Sequence, residues 1–272
     1  VRFGVNAGDS IASGGNYNVV VGDEAGTAIT TGDNNVAVGY ASLDANTTAS
    51  NNTAVGYASL TTNTTGTQNV AVGYSAGAAV TTGIRNTLMG GLAGDAITTA
   101  SYNVALGYEA LTVDTLGSNS VAIGAFALRD QNFTSATNAY NVGIGYEAGG
   151  SITTGTLNTI IGGEAGTAIT TGDSNVAVGY AALYSNTTAD KNIAVGMKSG
   201  EFITTGENNT HTGYLAGRGI TGAKSTGDYN TTYGSVAGNK LQGAATQNTL
   251  IGGLAGDAIT TASANTAVGY AS

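Results

Sequence analysis

Apolar residues in this chain recur as triplets, Val36-Ala37-Val38 and its copies, separated by runs rich in Gly, Thr, Asn and Ser. Within a triplet, large and small side chains alternate with a period of two, which predicts a strand and not a helical stripe. The triplets themselves recur. The Asn that opens each one stands at Asn18, Asn35, Asn52, Asn69, Asn86 and Asn103, and again at Asn141, Asn158, Asn175, Asn192 and Asn209, 17 residues apart within each run. Asn230, Asn248 and Asn265 complete the series, and Ser120 replaces Asn once. Coils 120–140 and 209–229 are each four residues longer than the unit, and coil 230–247 is one longer. Seventeen residues are too few for a strand–helix pair, so each copy reads as one turn of a parallel β-coil stacked on the next at about 4.8 Å. The predicted fold class is all-β, a parallel β-solenoid of about 17-residue coils. It runs as one continuous repeat over 1–272, with coils starting near 18, 35, 52, 69, 86, 103, 120, 141, 158, 175, 192, 209, 230, 248 and 265.

Counting from Asn as position 1, position 5 is glycine in every coil from Gly22 to Gly269. Such a column implies either φ > 0 at a corner or a backbone too close to admit a Cβ. Positions 9 and 12 covary. Leu43, Leu60, Leu111, Leu128 and Leu183 are followed three residues later by Asn46, Asn63, Asp114, Gln131 and Asn186, whereas Gly26, Gly77, Gly94, Gly149 and Gly166 are followed by Ile29, Val80, Ile97, Ile152 and Ile169. One apolar slot per coil is therefore expected to be filled from either position, keeping the core volume constant. A second strand is expected around Ala28–Thr31. In the first strand, positions 2 and 4 face one way and position 3 the other, yet all three are apolar in Val176-Ala177-Val178 and most copies. The small Ala on the second face predicts close approach of a neighbouring chain, hence an oligomer. Neither end carries a polar capping coil, so the chain is expected to be an excerpt of a longer fibre.

Composition narrows the function. Glycine supplies 44 residues without a three-residue period and proline is absent, which excludes collagen, while 41% hydrophobic residues argue against disorder. Eight basic against seventeen acidic residues, with no basic run, exclude a nucleic-acid partner. No apolar run approaches the roughly 20 residues of a membrane span, so membrane insertion by this segment is not expected.

The repeats Asn-Val-Ala-Val-Gly at 35–39 and Ser-Val-Ala-Ile-Gly at 120–124 resemble the head repeats of trimeric autotransporter adhesins of the YadA-like group, and also repeats of bacteriophage tail-fibre proteins. The resemblance spans the whole chain, although the 17-residue unit is longer than that of the adhesin heads. It implies a left-handed β-roll, three chains side by side as a homotrimer, and an extracellular location at a cell surface or on a virion. The role it implies is surface attachment or receptor binding, with a cell-surface glycan or extracellular matrix as partner. A purely structural fibre spacer and an ice-binding solenoid are the alternatives.

Catalytic chemistry finds little footing. His211 is the single histidine and stands at a strand position where other coils carry Ala, Leu or Ile, so no nucleophile–base pair is expected, and neither is a cofactor. Asp173, Asp190 and Glu207 share position 16 in successive coils and could bind a cation through stacked carboxylates, although no metal is required. Paired threonines such as Thr30-Thr31 and Thr170-Thr171 form a column suited to ladder hydrogen bonding, with one outward Thr per coil. Receptor contacts are expected where the period breaks, at Phe126, Arg129, Phe133, Arg218, Lys224 and Lys240, because Arg and aromatic side chains dominate binding interfaces.

Overall fold

The computed structural model describes residues 1–272, and it contains no helix. The chain is a parallel β-solenoid of about sixteen turns, each contributing one short strand to a row. The coils fall into two compact units, Val1–Tyr140 and Asn141–Ser272. In the first unit the row comprises Arg2–Phe3, Val19–Val21, Val36–Val38, Thr53–Val55, Val70–Val72, Thr87–Met89, Val104–Leu106 and Val121–Ile123. In the second it comprises Val142–Ile144, Thr159–Ile161, Val176–Val178, Ile193–Val195, Thr210–Thr212, Thr231–Tyr233, Thr249–Ile251 and Thr266–Val268. Pairing is parallel and in register, Val36 opposite Thr53 and Val176 opposite Ile193. The longer coils keep that register, since Thr210 still pairs with Thr231 and Thr231 with Thr249. Extra residues are thus accommodated outside the row.

Two columns hold the stack. At position 5 the glycines take φ of +126 to +142, and a Cβ on Gly73 would lie 2.4 Å from the carbonyl oxygen of Gly90. Both reasons for the column therefore hold together. At position 1 the buried Asn side chains form a ladder: Asn52 N–H donates to Asn35 Oδ1 at 3.0 Å, while Asn52 Nδ2 donates to Gly66 O at 2.9 Å. Each Asn thus ties one coil to the next and closes its own turn. Where Ser120 interrupts the ladder, the longer Gln131 reaches in and donates to Ser120 Oγ at 3.0 Å and to Asp114 Oδ2 at 2.6 Å.

The strand row differs from the expected parity. Position 3 is buried and positions 2 and 4 are half-buried, so Ala37, Ala54 and Ala71 face the core of their own chain and not a neighbour. The apolar outward face is the Val, Thr and Ile face. Alternation alone could not assign the sides because both are apolar. Inward space depends on position 9. Val20, Leu88, Ile160, His211, Thr232 and Leu250 stand at position 3 only where position 9 is glycine in the same coil and in the coil before. A Cβ on Gly77 or Gly94 would meet the Leu88 side chain at 2.7 or 2.8 Å. Where Leu occupies position 9, as at Leu43, Leu60 and Leu183, it is fully buried and position 3 is Ala. The volume exchange between positions 9 and 12 also has a geometric basis, as a Cβ on Gly26 would meet Ile29 Cδ1 at 2.7 Å. The polar residue that accompanies Leu is buried and bonds the turn, as Asn46 does to Ala49 O at 3.1 Å.

No second strand forms at Ala28–Thr31. Ile29 N–H turns back to Gly26 O of its own coil at 3.1 Å, leaving Thr30 N–H to reach Thr47 O at 2.8 Å. Ala28 N–H also reaches Asp44 O at 3.0 Å, so the coils are bonded on either side of Ile29 but no continuous ladder runs through it. The chain reaches this segment through left-handed residues at positions 7 and 9, exemplified by Glu24 at φ +58 and Gly26 at φ +57. Position 17 is left-handed as well, including Tyr102 and Leu157. Such conformations cost about 1–2 kcal/mol each for residues with a Cβ. Stacking hydrogen bonds offset that cost, since Ala41 N–H reaches Asp23 O of the adjacent coil at 3.1 Å.

Candidate functional site

The candidate chemistry lies at the surface of the coils. Along the first unit the outward strand face presents Val36 and Val38, Thr53 and Val55, Val70 and Val72, then Thr87 and Met89. Beside it, one residue past the glycine corner, position 6 places an exposed tyrosine in half of the coils. Tyr40, Tyr57 and Tyr74 stack with ring centroids 5.3 and 5.4 Å apart. In the second unit the Tyr180 hydroxyl donates to Glu164 Oε2 at 3.0 Å, and that carboxylate holds the phenol above its usual value.

The threonine column behaves as a ladder. Thr30 Oγ1 donates to Thr47 O, and Thr170 Oγ1 to Thr187 O, each at 3.1 Å. The second Thr of each pair, including Thr31 and Thr171, is exposed, and at Thr47 and Thr64 the first is exposed as well.

Asp173, Asp190 and Glu207 serve the stack in a different way. Asp190 Oδ1 accepts Asp173 N–H at 2.7 Å, and Asp173 Oδ1 accepts Thr156 N–H at 2.6 Å. Glu207 contributes its backbone, donating N–H to Asp228 Oδ1 at 2.7 Å. Position 16 is therefore a side-chain-to-backbone ladder, and no three acidic or imidazole groups converge there or elsewhere in the chain. His211 is buried in the core, its Nδ1 2.8 Å from Thr232 Oγ1, and burial lowers its pKa to about 4.

The expected receptor residues divide between the two units. In the first, Phe133 is a core residue at 5% exposure, packed over the buried Asp114, whose carboxyl burial pushes to a higher pKa. Its burial corrects its assignment as a receptor contact. Phe126 is half-buried, edge-on to Tyr108 at 5.6 Å, with Arg129 above it at 5.9 Å and bound to Asp130 at 2.7 Å. In the second unit Arg218 packs over Phe202 at 5.2 Å and bonds Glu201, which also takes Lys198 at 3.0 Å. Lys240 is exposed.

Comparisons with protein-family models, with curated proteins and with solved structures give no match. The surface of the second unit supplies the remaining feature, a groove of about 510 Å³. Tyr184, Phe202, Ile220 and Lys224 line it. Of these, sequence reading singled out Lys224 alone. Tyr184 and Phe202 belong to coils of regular length, and only the fold brings them beside the long coil 209–229.

Proposed function

We infer that the chain is a non-enzymatic segment of an extracellular attachment fibre, borne on a cell surface or a virion, in which copies lie side by side as a homotrimer of left-handed β-rolls. The observation that carries this reading is the outward strand face. Its large apolar side chains repeat in coil after coil, and Met89, Ile193, Val195 and Ile251 remain 37–41% exposed. A monomer rarely leaves so long an apolar strip open to water, and covering it with a second copy gains about 25 cal/mol for each Å² of apolar surface removed. A row of exposed, stacked tyrosines beside that strip adds aromatic edges and hydroxyls for contact with a receptor. The likeness of Asn35–Gly39 to adhesin head repeats favours the same role. Non-enzymatic function is favoured by the burial of His211, which leaves no imidazole at the surface to act as a base.

Attachment is tested by coupling the chain to beads and measuring their retention under flow on cultured cells and on matrix-coated glass. Retention above that of bare beads is expected. Retention equal to bare beads would make this segment a spacer.

A further inference from the structure

The four-residue excess of coil 209–229 builds a wall. Ile220 and Ala223 bridge across a tight turn, with Ala223 N–H bonded to Ile220 O at 2.9 Å and Gly222 at φ +82 on its tip. The turn is anchored on both sides. Ser225 N–H reaches Phe202 O at 3.0 Å in the coil before, and Thr226 N–H reaches Gly243 O at 2.8 Å in the coil after. The wall therefore stands on the stack and is not a loose loop.

Between this wall and the preceding coils lies the groove of about 510 Å³, the size that encloses a small ligand. Its apolar surface comes from Tyr184, Phe202 and Ile220. Thr205 and Thr226 add exposed hydroxyls that make no hydrogen bond within the protein and can both donate and accept. No carboxylate lines it, in a chain where acidic residues outnumber basic ones by seventeen to eight. Its one cation is Lys224, exposed and without an ion-pair partner, whereas the neighbouring Arg218 and Lys198 are both paired with Glu201.

We propose that this groove binds an acidic saccharide, a sugar ring carrying a carboxylate. The aromatic side chains Tyr184 and Phe202 stack on the C–H face of the ring, the threonine hydroxyls exchange hydrogen bonds with ring hydroxyls, and the Lys224 ammonium receives the carboxylate. A peptide carboxylate would satisfy the lysine but would leave the paired hydroxyls and ring faces without the polyol they match. The proposal rests on the attachment reading and names the ligand class for it.

Calorimetric titration of the full chain with oligogalacturonate and with sialyllactose, against their carboxyl-reduced forms and a Glu-rich peptide, tests the assignment. Binding to at least one acidic saccharide is expected, weakened at least tenfold by carboxyl reduction, by Lys224→Met and by Tyr184→Ala, each variant melting at the wild-type temperature. Equal binding of the reduced sugars, tighter binding of the peptide, undiminished binding by Lys224→Met, or no binding of any saccharide would each overturn it. Bead retention on cells without saccharide binding would overturn the groove while leaving attachment standing. Saccharide binding sensitive to Lys224→Met without bead retention would uphold the groove and remove attachment.

Discussion

Coils 35–119, in the first unit, and coils 192–247, in the second, follow the same coil plan and differ in what they place inside it. In the first region the inward residue is Ala or Leu, and every unit is 17 residues long. In the second the inward column carries His211 and then Thr232, which bond each other at 2.8 Å, and both of the longer units of that region fall here. The Asn ladder nevertheless continues, Asn230 N–H reaching Asn209 Oδ1 across 21 residues at 2.8 Å. Glycine corners and the Asn ladder are thus the fixed frame. Core chemistry and surface turns vary on that frame, provided the adjacent coil supplies the partner for any buried polar group.

The frame is broken most severely at a corner. Gly73→Ala would force a Cβ against Gly90 O at a φ of +141, and a loss of at least about 4 kcal/mol is expected in denaturant unfolding. Gly222→Ala, on the inserted turn with nothing within 4 Å of a Cβ, is expected to lose only about 1 kcal/mol. Equal losses would erase the distinction between frame and insertion.

In the ladder, Asn69→Ala strips the partner from Asn86 N–H and from Gly83 O, both within the buried stack. A loss of about 3 kcal/mol is expected, the sum of two orphaned backbone groups. Asn209→Ala in the irregular region should cost as much, because Asn230 N–H and Gly227 O depend on it in the same way.

The polar core of the second region adds a loss of stability on acidification, the opposite in sign to the effect of the buried Asp114 carboxyl in the first, whose pKa burial raises. His211 titrates near 4 when folded and near 6.5 when unfolded. Between those values the unfolded chain takes up a proton that the folded chain refuses, so stability falls as pH falls through the window, by up to about 3 kcal/mol. Below pH 4 the contribution is flat. His211→Leu, a residue the inward column already accepts at Leu88 and Leu250, should abolish that component of the pH profile. An unchanged profile would contradict the burial of a neutral imidazole.

The smallest expected effect concerns the shared core slot. Leu183→Gly opens a cavity and should cost about 3 kcal/mol, and Asn186→Ile in the same chain should recover about 1–2 kcal/mol of it. Additive losses in that double-mutant cycle would show that positions 9 and 12 do not share one space.

Much of this was legible in the sequence, and the rest was hidden for identifiable reasons. The glycine corner showed because a Cβ is sterically excluded, so no other residue stands there. The Leu and Gly exchange showed because core volume is conserved across Leu43 with Asn46 and Gly26 with Ile29. Left-handed positions 7 and 17 did not show. Their strain is small enough to be outweighed by stacking, so Glu24, Phe126 and Tyr229 all adopt it and leave no column. The parity of Val176-Ala177-Val178 was invisible because both faces are apolar, and the supposed strand at Ala28–Thr31 alternates correctly while its Ile29 N–H is spent on a turn. Lys224 was found through the broken period. Tyr184 and Phe202 were not, since proximity across coils belongs to the fold.

The central claim is that the outward strand face is covered by further copies of the chain, and sedimentation equilibrium tests it directly. A mass three times that of one chain, independent of concentration down to the micromolar range and reduced to that of one chain by Val70→Lys with Val104→Lys, is the predicted result. A stable wild-type monomer whose outward valines remain open to water would contradict it.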